Sequence, residues 1–326
     1  MRKPLLPTLL PTLALLLACT APGLAPALAQ APAGAVTVIV PFTVGGLNDL
    51  TARSVVEKIK GQFPGGMAVV NRTGAGGSIG VTEIVQAKPD GTVIGLSPTP
   101  ALLDQPQMNA LPYKGPQDYT AIANTVTYYQ LLAVRGDAPW KDIKELMAAA
   151  KASPAKLRFG TSGIGTAAHL NLAQLQAASG IDVVHVPFSG WAEGSAALLG
   201  GHVDTLIINP GEGRQLTNAG RIRVIAAFQP ARSPYYPDVP TFKELGYDIG
   251  VNLSFAFVGP KGLPAGVTDF YTKAIRTAVE DKAFQDFAKA REIEVNYMDA
   301  AQLSAFLQKE FAEHTALLGK LGLLKK

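Results

Sequence analysis

Three glycine-rich loops are the places in this 326-residue chain where residue types and spacing suggest chemistry. They cover residues 41–49, 71–80 and 160–166, and each lies between an apolar, strand-like run and a segment with helical spacing. Glycine lets backbone amides approach a ligand closely, and the free amides and positive dipole end of a helix start attract anions. In open α/β sheets, ligands bind at the carboxyl ends of strands. The pattern therefore predicts anion binding at these loops.

The loops at 41–49 and 160–166 carry the most suitable groups. The first holds the pair Gly45-Gly46, followed by Asn48 and Asp49, which can cap a helix. The other offers two hydroxyl side chains and several amides at a helix start, an arrangement that suits a carboxylate. Its candidate ligand-binding residues are Thr161, Ser162, Gly163, Gly165 and Thr166. The loop at 71–80 lacks the Lys-Ser/Thr pair of a phosphate loop, so we assign it a structural role.

Ser162 gives the chain one enzymatic alternative, an exported serine-dependent hydrolase. The run Gly160-Thr161-Ser162 resembles a nucleophile elbow, but that motif needs glycine at position 164, where isoleucine stands. His169 is the nearest candidate base, yet helical spacing carries it along the helix and away from Ser162. We therefore count His169 with the ligand-binding residues, predict no catalytic residue and predict that the protein is not an enzyme.

Residues 163–168 also match the dinucleotide pattern G-x-G-x-x-G/A. A dinucleotide site needs an acid at the carboxyl end of the following strand, whereas Asp182 precedes that strand. The four histidines are scattered without a helical pair or a neighbouring cysteine, which is unlike a metal site. The sequence thus predicts no cofactor and no metal. A net charge of +4 on a chain of this size gives no reason to expect a nucleic-acid partner.

The N-terminus has the features of a secretory signal peptide over residues 1–29. Arg2 and Lys3 precede an apolar stretch, and the small residues Ala27 and Ala29 suit cleavage after Ala29. The apolar run is far shorter than the ~20 residues needed to cross a bilayer. Leu16-Leu17-Ala18-Cys19 loosely resembles a lipobox, so a lipid tether at Cys19 is the alternative. Both interpretations place the protein outside the cytoplasm, in the periplasm.

The remaining chain alternates strand-like and helix-like segments in two series, which predicts parallel sheets with crossover helices. With 48% hydrophobic and 17% charged residues, the chain can bury two sizeable cores. We place lobe 1 at 30–120 plus 230–326 and lobe 2 at 121–229. Residues 128–134 are predicted as a strand and 269–288 as one long amphipathic helix.

Six segments, in order, resemble the Bug family of substrate-binding receptors of tripartite tricarboxylate transporters. They are PFTVGGLNDLTAR (41–53), NRTGAGGSIG (71–80), PDGT (89–92), FGTSGIGTAAHL (159–170), VHVPFSGWAEGSAALLGGHVD (184–204) and PDVPTFKELGY (237–247). The resemblance implies a periplasmic-binding-protein type II-like fold, with two doubly wound α/β lobes and a ligand cleft between them. It also implies that Thr43, Val44, Gly45 and Gly46 face the 161–166 loop across a ligand carboxylate.

The resemblance completes the functional expectation. The protein is expected to be a monomeric, extracytoplasmic receptor that captures a small carboxylate-bearing organic anion for integral-membrane permease subunits; a ligand-binding sensor of a signalling system is the alternative. The chain departs from the family pattern at Val44, Ala197 and Ser254, so the family name does not identify the ligand. For the far end of the cleft we name Phe42, Phe188, Trp191 and Asn209.

Overall fold

The computed structural model describes residues 31–325, so the predicted signal peptide, its cleavage after Ala29 and Cys19 lie outside the described residues. The described strands are β1 (Val36–Val40), β2 (Met67–Asn71), β3 (Val93–Pro98), β4 (Tyr119–Tyr128), β5 (Leu131–Arg135), β6 (Arg158–Thr161), β7 (Val184–Pro187), β8 (Thr205–Ile208), β9 (Ile222–Ala227), β10 (Leu253–Pro260) and β11 (Glu294–Met298). The described helices are α1 (Leu47–Ile59), α2 (Ser78–Gln86), α3 (Thr99–Leu103), α4 (Gln105–Met108), α5 (Ile143–Ala152), α6 (Ala167–Ser179), α7 (Trp191–Leu199), α8 (Arg214–Asn218), α9 (Ala265–Glu280), α10 (Lys282–Ala290) and α11 (Ala300–Lys320).

The strands form two mixed sheets, each with a parallel part. The six-stranded sheet has the order β11-β4-β10-β3-β1-β2, and the five-stranded sheet has the order β7-β6-β8-β5-β9. In the first sheet β1 runs parallel to β2 and β3, and in the second β6 runs parallel to β7 and β8. The remaining pairings are antiparallel. The predicted α/β class with two sheets is confirmed.

Helices cover both faces of each sheet, because strand side chains alternate between the faces. In β1, Val38 and Val40 join a core cluster with residues of α1 and α9, whereas Ile39 joins a different cluster with residues of α2 and α11. In β5, Leu132 and Val134 pack with α5 and α6, and the intervening side chain packs with α7. Each sheet is therefore the centre of a separate three-layer lobe.

The chain crosses between the lobes at residues 129–130 and 250–252, later than predicted. The predicted boundary at 121 falls within β4, which pairs with β10 and β11 of the six-stranded sheet. Residues after 230 still belong to the second lobe, since Phe242 is fully buried in the core around α5 and α6. The 128–134 strand is divided because Tyr128 ends one sheet and Leu131 begins the other.

The predicted helix over 269–288 is two helices that meet at Asp281. The backbone of Asp281 is extended, and its carboxylate accepts a hydrogen bond from the amide of Ala283 at 2.9 Å, which caps α10. Among helices within residues 31–325, none is both long and apolar enough to cross a membrane.

Candidate functional site

The two glycine loops singled out in the sequence occupy equivalent places in the two lobes. One follows β1 and precedes α1, and the other follows β6 and precedes α6. Both β1 and β6 are flanked by parallel neighbours on each side. Their carboxyl ends therefore lie where open α/β sheets bind ligands.

A cavity of about 740 Å³, including its mouth, lies between the lobes. The first lobe contributes Thr43, Gly46 and Asn48, and the second contributes Ser162 and Thr166. The two loops therefore face one hollow. Its lining is mostly apolar with a few polar groups, as in small-molecule sites, where such polar groups fix the ligand's orientation.

The loop before α1 is held by the buried carboxylate of Asp49. Its Oδ2 accepts the amide of Gly45 at 2.9 Å, and its Oδ1 accepts the side-chain amide of Asn71 at 3.0 Å. Arg53 pairs with the same carboxylate at 2.9 Å. Burial alone would raise the pKa of Asp49, but the hydrogen bonds from Arg53, Gly45 and Asn71 lower it below its usual value. Asp49 thus positions the loop.

The loop before α6 is held by hydroxyl groups. The Thr166 hydroxyl donates to the carbonyl of Gly163 at 2.8 Å and caps α6 by accepting the amide of His169 at 3.5 Å. The amide of Gly163 donates to the Thr161 hydroxyl at 3.3 Å, and that of Gly165 donates to Nδ1 of His169 at 3.1 Å. The Gly163 and Gly165 amides are therefore already used within the loop.

Two histidines support Thr161 from behind. The rings of His169 and His185 are stacked with centroids 4.6 Å apart, and Nε2 of His185 lies 2.6 Å from the Thr161 hydroxyl. Burial and the neighbouring His169 lower the pKa of His185 to about 4. The ring is neutral at neutral pH, and its hydrogen bond with the hydroxyl fixes the rotamer of Thr161 at the cavity wall.

Glu212 enters the cavity from the second lobe and contacts the start of α1 in the first lobe. Its Oε1 accepts the backbone amide of Leu47 at 3.3 Å and the side-chain amide of Asn209 at 3.1 Å. Its Oε2 accepts the backbone amide of Asn209 at 3.2 Å. Burial raises the pKa of Glu212, against these hydrogen bonds and the charge of Arg291, which lower it. The carboxylate of Glu212 therefore accepts the hydrogen bond of the Leu47 amide, one of the helix-start amides that were expected to bind the ligand.

A chain of side-chain amides connects Glu212 to both crossovers between the lobes. The amide of Val251 donates to Asn171 at 2.8 Å, and Asn171 donates to Gln130 at 3.1 Å. Gln130 donates to Asn209 at 2.9 Å, and Asn209 donates to Glu212. Gln130 lies in the first crossover and Val251 in the second. The site is thus hydrogen-bonded to both segments that join the lobes.

Asn48 carries the polar atoms of the cavity that most need a partner. Its side chain lines the cavity and the residue is only 5% exposed. Within residues 31–325, neither its amide nitrogen nor its amide oxygen has a hydrogen-bond partner. Burying such a group unpaired costs about 1–3 kcal/mol, so the arrangement suits a ligand that supplies the missing bonds.

The structure brings part of the predicted site together. The predicted residues that line the cavity are Phe42, Thr43, Gly46, Asn48, Thr161, Ser162, Thr166, Trp191 and Asn209. Those behind it or beside it are Val44, Gly45, Asp49, Gly163, Gly165, His169 and Phe188. Val44 is 69% exposed, and Phe188 lines an adjoining recess with Gly163.

Sequence reasoning missed several residues of the cavity wall. They include Leu47, Tyr128, Gln130, Leu206, Glu212 and Phe255. Glu212 had a usable signal, because it lies in the same loop after β8 as Asn209, which was already predicted to line the far end of the cleft. Tyr128 and Gln130 were missed because the first crossover was predicted near residue 121, whereas it lies at 129–130.

Comparison with known proteins agrees with this architecture. A sequence model described as "Tripartite tricarboxylate transporter family receptor" matches residues 51–323. This chain belongs to that receptor family. The receptor is 31% identical over 297 residues to the UPF0065 protein in gbd 5'region of Cupriavidus necator, covering 90% of this chain and 89% of that one. The predicted family is confirmed.

Solved structures show the same fold. The periplasmic binding protein BugD is 31% identical to the receptor, with a TM-score of 0.84, covering 90% of this chain and all of that one. MatC from Rhodopseudomonas palustris, solved with bound malate, is 23% identical with a TM-score of 0.82, covering 88% of this chain and 99% of that one. The predicted periplasmic-binding-protein fold is confirmed.

Proposed function

We propose that this protein captures a small carboxylate-bearing organic anion in the periplasm and delivers it to the permease subunits of a tripartite transporter. The observation that carries the proposal is the cavity between the lobes, which is lined by the loops at the starts of both α1 and α6. Each helix start carries the positive end of the helix dipole, so two of them around one hollow favour an anion.

Hydroxyl and amide side chains add the directional bonds that a carboxylate needs. Thr43, Asn48 and Ser162 line the cavity, and the Asn48 side chain is otherwise unpaired among the described residues. The cavity lies between two lobes joined by two crossovers, which suits closure around a ligand by a hinge.

The site supports binding better than serine catalysis. The Ser162 hydroxyl donates to Thr166 at 3.4 Å, and Nδ1 of His169 accepts the amide of Gly165. A serine nucleophile needs a base within hydrogen-bond reach, and His169 is directed to the loop backbone instead. A serine-directed covalent probe should therefore leave the protein unlabelled.

Binding is tested by thermal unfolding of the exported protein with mono-, di- and tricarboxylates. A ligand at 100 times its Kd adds about 2.7 kcal/mol to the free energy of unfolding, which raises Tm by several degrees. Ser162→Ala should reduce this shift. Ser195→Ala is the matched control, since the Ser195 hydroxyl bonds within α7 and lies away from the cavity. A flat response across the whole panel would contradict carboxylate capture.

Export, processing and assembly are tested separately. We place the mature protein in the periplasm as a monomer cleaved after Ala29, with lipidation at Cys19 as the alternative. Intact mass of the protein from the periplasmic fraction distinguishes a chain beginning at Gln30 from a lipidated one, and light scattering gives its oligomeric state. Uptake of the identified ligand in cells lacking the receptor tests the transporter partnership.

A further inference from the structure

Glu212 gives the cavity a charge that an anion receptor does not need. Among the described residues that line the cavity, Glu212 is the one with a formally charged side chain. Arg291 is close enough to lower the pKa of Glu212, but it is not among the described lining residues. An incoming anion thus finds a carboxylate beside the helix start of α1.

The hydrogen bonds around Glu212 fix its role as an acceptor. An ionised carboxylate has about four acceptor sites, and three are filled, by the amide of Leu47 and the two nitrogens of Asn209. In the hydrogen-bond chain from Val251 through Asn171 and Gln130, each amide donates to the next residue in the direction of Glu212. This chain holds the side chain in place and leaves one acceptor site for a group in the cavity.

The negative charge of Glu212 indicates which chemical group of the ligand lies beside it. A second carboxylate beside Glu212 would repel it in a partly desolvated site, where charges interact more strongly than in water. A hydroxyl group could donate one bond but would leave the charge uncompensated. An ammonium group donates up to three hydrogen bonds and cancels the charge of Glu212. Of the three ligand groups, it therefore interacts most favourably with this carboxylate.

We propose that Glu212 selects a zwitterionic ligand, an amine-bearing carboxylate, by pairing with its ammonium group while the helix starts hold its carboxylate. This rests on the proposed function, because it assigns a second group to the ligand of the same cavity. It also separates this receptor from a receptor for dicarboxylates, since the second carboxylate of such a ligand would lie against Glu212.

The test uses four compounds with the same four-carbon chain, measured by calorimetry at neutral pH on the exported protein. They are 2-aminobutyrate, 4-aminobutyrate, butyrate and succinate, which differ in the presence and place of the amine and of a second carboxylate. We expect one aminobutyrate to bind at least tenfold tighter than butyrate and succinate. In Glu212→Gln this advantage should disappear, and succinate should bind as well as the aminobutyrate or better.

Glu193→Gln is the matched control, because this glutamate accepts the amide of Ser189 on the surface and should leave the ranking unchanged. The wild-type ranking decides the question even if Glu212→Gln folds poorly, which circular dichroism would show. Succinate or butyrate binding as tightly as both aminobutyrates overturns the zwitterion proposal and leaves the carboxylate receptor standing. Failure of all four compounds, together with a flat thermal-shift panel, overturns both proposals.

Discussion

The backbone amide of Leu47 and the carboxylate of Glu212 belong to different lobes and lie 3.3 Å apart. A second polar contact crosses at the cavity edge, where the Gln105 side chain donates to the carbonyl of Ile164 at 2.8 Å. The structure therefore shows the lobes in contact across the cleft. Ligand affinity should depend on how well the facing surfaces fit in this closed arrangement.

Gly190→Ala should weaken ligand binding by obstructing closure. A methyl group there would lie 2.7 Å from the Thr43 hydroxyl of the opposite lobe. The backbone of Gly190 is extended (φ 162°), which alanine tolerates, so the cost falls on the contact between lobes. Overpacking of this kind costs about 1–3 kcal/mol, so we expect roughly tenfold weaker affinity for the tightest-binding carboxylate.

The matched control for Gly190→Ala is Gly61→Ala, because within residues 31–325 no atom outside its own stretch of chain lies within 4 Å of the added methyl group. Calorimetry should give Gly61→Ala the wild-type Kd. Unchanged affinity in Gly190→Ala would show that the ligand does not require the closed arrangement.

Asn48→Leu should stabilise the ligand-free protein while weakening ligand binding. Within the described chain the buried amide of Asn48 has no partner, so leucine removes a desolvation penalty of about 1 kcal/mol. A ligand that bonds to Asn48 loses those bonds in the variant. Urea unfolding without ligand and calorimetry with ligand should therefore move in opposite directions. A variant less stable than wild type, with unchanged affinity, would assign Asn48 a purely structural role.

How much the sequence revealed depends on whether a feature is local. The parallel parts of both sheets and the placement of the loops before α1 and α6 follow from local apolar periodicity and glycine position. Strand β4 was missed because it carries buried polar residues whose partners are remote, as when Asn124 donates to the carbonyl of Asn296 at 2.7 Å. The position of Glu212 after β8 was readable from the sequence, but its contact with Leu47 was not, since the two residues meet only after both lobes have folded.

Asn171→Ala should destabilise the fold through the amide chain that joins the crossovers. Asn171 is fully buried, accepts the amide of Val251 and donates to Gln130. Its removal leaves one donor and one acceptor unpaired in the interior, at a cost of about 2–4 kcal/mol. Asn218→Ala, at an exposed position on α8, should change stability by less than about 0.5 kcal/mol. If both substitutions lowered the free energy of unfolding equally, the hydrogen-bonded amides that join the crossovers would have no special structural role.

His314 should make the stability of the first lobe fall at alkaline pH. Its Nδ1 lies 2.6 Å from the buried carboxylate of Asp104, and Glu310 approaches its Nε2 at 3.5 Å. Burial would lower the pKa of His314, but the charge and hydrogen bond of Asp104, with help from Glu310, raise it to about 10.

A raised pKa means that the folded protein keeps a proton that the unfolded chain releases near pH 6.5. The stabilisation from His314 is therefore complete below about pH 6.5 and is lost as the pH rises toward about 10. We expect a loss on the order of 3 kcal/mol in denaturant unfolding between these limits. His314→Gln should flatten this dependence, whereas the exposed His202→Gln should retain it. A histidine NMR titration that shows His314 losing its proton near pH 6.5 would refute the assignment, because the pair with Asp104 would then add no charge interaction to the fold.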